Sequence, residues 1–261
     1  KKITANRLHL RLDKYVNKDE FGELAASFNS TLDIIENSYE AQKMFVSNVS
    51  HELRTPLSIL VGEIDYALLK ERSEEEYVQA LHNVKRDSVG LIRLVNGLLD
   101  LSKASADERK ITKHEIRLDE VILDAREAVL NANPTYKVDL QFMDATADDG
   151  ELVILGNAYL LQAAFLNLID NNCKFSHNKS ATVRIYVQGA SIKLEFADQG
   201  IGIPEADLPH VLTPFFRGKN KSFTDGNGIG LALVEKVVNI HKGSLEVTST
   251  LGKGTMFILR F

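Results

Sequence analysis

Apolar residues recur at steps of three and four from Phe21 through Leu24, Phe28, Leu32, Ile35 and Tyr39. The stripe continues through Phe45, Val49, Leu53, Leu60, Ile64 and Leu68. That period is helical. Pro56 interrupts the stripe, and a proline inside a helix removes one backbone bond and bends the axis. The run predicts one kinked helix of roughly 48 residues, about 70 Å long at 1.5 Å per residue. A polar break follows at Arg72-Ser73-Glu74, where Ser73 and Glu76 read as a capping box. A second helix then carries Tyr77, Leu81, Val84, Leu91, Val95, Leu98 and Leu101. Two long amphipathic helices joined by a short turn form an antiparallel hairpin. One such hairpin cannot cover its own stripe, whereas two can, so a homodimeric four-helix bundle is expected.

The hairpin accounts for less than half of the 261 residues, and two compact units with a connector are the natural expectation. Residues 102–115, SKASADERKITKHE, are polar and lysine-rich and read as that connector. Beyond it the pattern alternates between strand and helix. Short strands are expected near Ile116 and Leu118, at Lys137–Phe142 and at Glu151–Leu155, with helices over about 119–131 and 157–174. Thr182–Val187 and Ile192–Ala197 alternate at period two around Gln188-Gly189-Ala190 and read as a hairpin. Residues 199–228 lack periodicity and are rich in Gly, Pro and Asp, the mark of a long functional loop. A helix over about 229–241 and a hairpin of Ser244–Ser249 with Thr255–Phe261 complete an α/β sandwich.

Charge and cysteine content narrow the setting. The formal net charge is −5, and nothing suggests a strongly basic nucleic-acid binder. Cys173 is alone, so no intrachain disulfide forms and a reducing compartment is the simpler expectation. No apolar run reaches the ~18 residues a membrane helix needs, and no signal peptide is visible. The sequence starts mid-pattern at Lys1-Lys2 and reads as a segment of a longer protein.

Four constellations carry chemistry. With Val49 and Leu53 facing the seam, His51 lies about 200° from each and points to solvent, and Thr55 sits one turn on. Glu52 is adjacent. A neutral imidazole beside a carboxylate is a plausible nucleophile, though an ordinary exposed histidine fits the same face. Asn167, Asn171 and Lys174 share one helical face opposite Leu161, Phe165 and Leu168. Amide oxygens suit Mg²⁺ beside phosphate, and a lysine suits phosphate as a point charge; a solvated helix face is the plainer alternative. Asp198 continues the parity of Ile192, Leu194 and Phe196 toward the core side, where a carboxylate needs a donor such as adenine's exocyclic amine. Gly200 and Gly202 follow it and permit close backbone approach. Gly226-Asn227-Gly228-Ile229-Gly230-Leu231 precedes a helix and offers N–H groups to phosphate. No strand directly precedes it, which argues against a dinucleotide-binding fold.

These strings resemble the sensor histidine kinases of two-component systems over about residues 19–261. Ser50-His51-Glu52-Leu53-Arg54-Thr55-Pro56-Leu57 resembles the H-box, and Asn167–Lys174 the N-box. Asp198-Gln199-Gly200-Ile201-Gly202 resembles the G1 box, Pro214-Phe215-Phe216-Arg217 the F-box, and Gly226–Leu231 the G2 box. Gly252-Lys253-Gly254-Thr255 is similar to the closing G3 turn, although a hairpin turn explains those glycines nearly as well. Asp19-Glu20-Phe21-Gly22-Glu23-Leu24 resembles the start of the second helix of a HAMP linker.

The resemblance implies a HisKA-type helical hairpin in a dimeric four-helix bundle, then an α/β sandwich of the Bergerat, or GHKL, ATP-binding fold. It implies a partial HAMP linker and signalling helix at 1–36, the phosphotransfer hairpin at 37–103, a linker at 104–115 and the catalytic domain at 116–261. His51 would accept the γ-phosphoryl group of ATP, with Glu52 as base and Thr55 implicated in removing phosphate from the partner. ATP would engage Asn167, Asn171, Lys174, Phe175, Asp198, Gly200, Gly202, Ile203, Phe216, Arg217, Gly226, Gly228, Ile229, Gly230, Leu231 and Thr255. Mg²⁺ would sit on Asn171 and Asn167. The implied partners are a second copy and the receiver domain of a response regulator, and the parent protein would be membrane-anchored with this region in the cytoplasm. A superfamily ATPase without a phosphohistidine and a non-catalytic dimerisation scaffold are the competing readings.

Overall fold

The computed structural model describes residues 9–12, 20–105, 111–143, 152–189, 191–218 and 226–261. Parts of the expected HAMP segment (including Asp19), of the linker, of the turn at Ala190 and of the 199–228 loop lie outside the described residues. The chain divides into two compact units, Lys1–Val84 and Lys85–Phe261.

The first unit is built on α1 (Glu20–Leu68), a single helix of 49 residues with Pro56 inside it. The start of α2 (Glu74–Ser105) returns from its end. The turn is fixed by reciprocal bonds: Ser73 N–H donates to Glu76 Oε2 at 2.9 Å, and Glu76 N–H donates to Ser73 Oγ at 3.2 Å. Two of the donors that a helix start leaves unpaired are thereby satisfied. The Arg72 guanidinium lies 3.7 Å from the centre of the Tyr66 ring and donates to the Tyr66 carbonyl. Much of the α1 stripe stays open: Leu24, Phe28, Ile35, Tyr39 and Ile64 are all exposed.

The second unit holds the core. A five-stranded sheet has the order β2-β4-β5-β7-β6, with β2 at Lys137–Phe142, β4 at Ser180–Gln188, β5 at Ser191–Ala197, β6 at Ser244–Thr250 and β7 at Gly254–Arg260. β2 pairs parallel with β4, and the other neighbours are antiparallel. Helices α3 (Leu118–Ala132), α4 (Ala158–Phe175) and α5 (Gly230–Ile240) pack against it. Period two decides which face they cover: Val183, Ile185, Leu194 and Phe196 are buried to 1% exposure or less. The alternate residues Arg184, Tyr186, Lys193 and Glu195 form a polar cluster on the other face, with Tyr186 donating to Glu195 and Arg184 and Lys193 paired with it. β1 (His114–Arg117) and β3 (Val153–Gly156) form a separate antiparallel pair.

The end of α2 belongs to this unit too. Tyr159 donates to Asp100 at 2.7 Å and accepts from Lys103 at 3.2 Å, and Leu94, Leu101 and Ala104 are buried.

Candidate functional site

α4 builds one wall. Asn157 caps it by accepting from Leu160 N–H at 3.0 Å, and Leu161, Phe165 and Leu168 are fully buried on its core face. Asn167, Asn171 and Lys174 therefore share the opposite stripe, where each is half-buried rather than solvated. The glycine segment leading into α5 approaches two of them, Asn167 and Lys174. A Cβ on Gly230 would overlap Asn167 Oδ1, and one on Gly226 would stand 3.1 Å from Lys174 Nζ. Asn167 Nδ2 donates to the Ala163 carbonyl at 2.8 Å, which leaves its Oδ1 turned toward α5. That helix starts without a side-chain cap, so the positive end of its dipole is open to an anion. Ile229, at 4% exposure, roots the turn in the core, and Leu231 is half-buried on the first turn.

The second wall is the end of β5. Asp198 N–H donates to the Thr255 carbonyl at 2.9 Å. Its Oδ1 is buried with no hydrogen-bond partner. Burial pushes the carboxyl up to about 6, against the opposing pull of the Thr255 and Gly200 N–H groups and His177. Three loops meet here. Ile201 N–H donates to the Phe175 carbonyl, Gly252 N–H to the Ile201 carbonyl, and Ile203 N–H to Ser249 Oγ. Ser249 Oγ lies 2.9 Å from Thr255 Oγ1. Side chains at Gly200, Gly202 or Gly254 would overlap the carbonyls of Phe175, Thr250 and Asp198 respectively. Gly254 thus does more than turn a hairpin. Its φ of +122° lets the β6–β7 turn lie against the backbone of Asp198.

The described part of the long loop joins the same region. Phe215 N–H donates to the Gly228 carbonyl at 2.8 Å, and Phe215 itself has φ +65°. The Phe216 ring lies 5.7 Å from that of His210, and Arg217 follows, half-buried. Among the described residues no cluster of three His, Cys, Asp or Glu side chains is arranged for a metal. The amide oxygens of Asn167 and Asn171, one turn apart, fit a hard cation that shares phosphate oxygens.

In the other unit His51 is exposed in the middle of α1, and Thr55 Oγ1 donates to its carbonyl at 3.2 Å. Glu52 is half-buried. Among the described residues no side chain hydrogen-bonds the imidazole, so Glu52 is adjacent without a direct bond.

Motif spacing does not point to two polar residues of the pocket region. Ser249 ties Ile203 to Thr255, and Asn172 is 1% exposed with neither amide atom paired. The sequence signal for Asn172 is a polar residue one turn beyond Leu168 and two beyond Phe165, inside an apolar stripe.

A mixed sheet under helices, with a glycine segment leading into an uncapped helix start, is an arrangement suited to a phosphate-bearing ligand. Residues 156–261 match the family of histidine kinase-, DNA gyrase B-, and HSP90-like ATPases. Residues 41–107 match the His Kinase A (phospho-acceptor) domain. The chain belongs to the sensor histidine kinases of two-component systems. It is 29% identical over 270 residues to the signal transduction histidine-protein kinase ArlS of Staphylococcus aureus, a match covering 99% of this chain and 59% of that protein. The chain thus spans little more than half the length of that relative. Among solved structures, histidine kinase ThkA in complex with the response regulator protein TrrA superposes with a TM-score of 0.66 at 17% identity, covering 95% of this chain and 67% of that one. Acinetobacter baumannii histidine kinase AdeS superposes with a TM-score of 0.57 at 22% identity, covering 81% and 96%. At these identities the two likenesses establish the fold. No described helix is long and apolar enough to cross a membrane.

Proposed function

We propose that this chain is the kinase portion of a membrane-anchored sensor histidine kinase, which phosphorylates His51 from ATP and passes the phosphoryl group to an aspartate of a response-regulator receiver domain. The observation that carries the reading is the convergence of Asn167 and Lys174 on the open start of α5. A cation, an oriented amide oxygen and free backbone N–H groups meet there, which is the chemistry a polyphosphate requires. The buried, unpaired Asp198 oxygen supplies the matching demand for a donor, and adenine's exocyclic amine meets it.

The roles follow. Asp198 accepts from the base while Gly200, Gly202, Phe175, Ile203 and Thr255 shape its surroundings. Lys174, the Gly226–Leu231 turn and Arg217 hold the phosphates, with Phe216 packing the covering loop. Asn171 and Asn167 would hold Mg²⁺, which supplies charge neutralisation at the phosphate oxygens. A neutral ring nitrogen of His51 attacks the γ-phosphorus in line. The N–P bond forms as the bond to the ADP oxygen breaks, and Glu52 takes the proton released from the imidazole. Positioning and electrostatics provide most of the acceleration. Thr55 orients water when phosphate is removed from the partner. Two copies pair through α1 and α2, and residues 1–36 deliver the signal from a HAMP-type linker as a shift between two bundle arrangements. The 37–103 hairpin, the 104–115 linker and the 116–261 catalytic domain divide this work.

The test is incubation with γ-labelled ATP, comparing wild type with His51→Gln. Acid-labile, base-stable label on the wild type and none on a variant that still binds ATP is the expected result. Free phosphate released with no label on either protein points instead to an ATPase without a phosphohistidine. Absence of nucleotide binding points to a scaffold.

A further inference from the structure

Among the described residues of the second unit Asn172 is the best-buried polar side chain, at 1% exposure, and both its Nδ2 and its Oδ1 lack hydrogen-bond partners. Buried amides are almost always paired, so an unpaired one asks for an explanation. Its position can be fixed from two contacts. Phe165 of α4 stacks on Phe196 of β5 with ring centres 5.6 Å apart, and Ser176, just past α4, bridges to Gly200, just past β5. Helix and strand therefore run past each other in the same direction. Seven residues on from Phe165, Asn172 has advanced about 10 Å along the helix. About three strand residues cover the same distance from Phe196, which is the level of Asp198 and Gln199. Asp198 shares the side of Phe196, since side chains alternate at period two. Cys173 agrees with this placement: its thiol is pushed up to about 12 by burial, then by Asp170 and Asp198.

Two unpaired buried groups thus lie in one layer between α4 and the end of the sheet, a carboxylate oxygen and a carboxamide. Resting on the ATP reading above, we propose that Asn172 is a second base-reading residue. Asp198 accepts from adenine's exocyclic amine, and Asn172 Nδ2 donates to a ring nitrogen beside that amine, directly or through one water. An amine donor flanked by a ring-nitrogen acceptor is the pattern adenine presents. Guanine places a carbonyl oxygen where the amine stands, opposite the Asp198 carboxylate, and is excluded.

The experiment is calorimetric titration of the whole chain with ADP, 1-deaza-ADP and 7-deaza-ADP, for wild type, Asn172→Ala and Asn172→Leu, with melting temperatures taken without nucleotide. The expected result is an affinity for ADP lowered about tenfold in the variants. The unliganded melting temperature should hold or rise, because an unpaired buried amide has been removed. One deaza analogue should bind wild type about tenfold more weakly and lose nothing further in the variants, since the lost bond is shared. Unchanged ADP affinity in a folded variant overturns the proposal and leaves the nucleotide pocket standing. So does a deaza penalty that simply adds to the variant's. If Asn172→Ala does not fold, Asn172→Leu, which keeps the same number and branching of heavy atoms, reports the same change in ADP affinity. Failure of wild type to bind ADP at all overturns the ATP reading itself, a distinct outcome.

Discussion

Burial pushes the Asp198 carboxyl up to about 6, against about 3.9 for an unfolded aspartate. A raised acid stabilises the fold fully below the lower value and loses that contribution as pH rises through the upper one. The unliganded wild type should therefore lose stability relative to Asp198→Asn between about pH 4 and pH 6. Nucleotide affinity should move the other way, strengthening as the carboxylate ionises and becomes a better acceptor. Denaturant melts and ADP titrations across that range, on both proteins, check the pair of slopes; parallel slopes would defeat the assignment of Asp198 to the base. Gly254→Ala is the sharper packing test at this scale. It asks an alanine to adopt φ +122° and overlap the Asp198 carbonyl, so a loss of about 2–4 kcal/mol in unfolding free energy is expected. At Gly252 nothing lies within 4 Å and φ is +76°, so alanine there should cost only about 1 kcal/mol of backbone strain. The roles proposed for His51, Asn171 and Asp198 rest on residue types at fixed spacings, which are legible in the sequence. The difference between Gly252 and Gly254 is not, because a turn glycine and a close-approach glycine read alike until the neighbouring backbone is in place.

Helix ends are where single elements can be tested. Ser73→Ala removes the hydroxyl that Glu76 N–H uses, and the loss should be about 1 kcal/mol, read by urea melts of the whole chain at constant m. Recovery by Ser73→Asp would show that the cap, and not packing, was lost. The elements themselves are largely legible in the sequence. The stripe of α1 has a single period and predicts one helix of roughly 48 residues, and α1 spans 49. The capping box forms as its spacing predicts, and both hairpins of the large sheet fall where period two and glycine turns put them. Strand partners are another matter. The parallel pairing of β2 with β4 depends on a crossover through β3 and α4, and the separate sheet of β1 with β3 on a connection through α3 and β2; a pattern along one strand names no neighbour. The affiliation of the end of α2 is hidden for the same reason. Its stripe announces a helix, while the Asp100–Tyr159–Lys103 cluster joins residues more than fifty positions apart.

At the scale of the whole molecule the open apolar stripe is the feature that the single chain leaves unsolved. Ile64 on α1 and Leu81 on α2 are 45% and 67% exposed, while Leu161, Phe165 and Leu194 of the other unit are at 0%. So long a row of large apolar side chains is seldom left in water. The proposed pairing of two hairpins would cover it, with stabilisation on the order of 25 cal/mol per Å² of apolar surface removed from water. Mass action would then tie unfolding to concentration, because folded dimer and unfolded monomer differ in number. The melting temperature of the first unit should rise with protein concentration. Ile64→Asp combined with Leu81→Asp should convert the species seen in sedimentation from dimer to monomer and abolish that dependence. The nucleotide pocket draws all its walls from residues beyond Lys85, so ADP affinity should stay within about twofold, less than the ~1.4 kcal/mol that a tenfold change represents. A variant that turned monomeric and lost ADP binding together would mean that pairing shapes the pocket. Dimeric behaviour that survived both aspartates would place the contact on another surface.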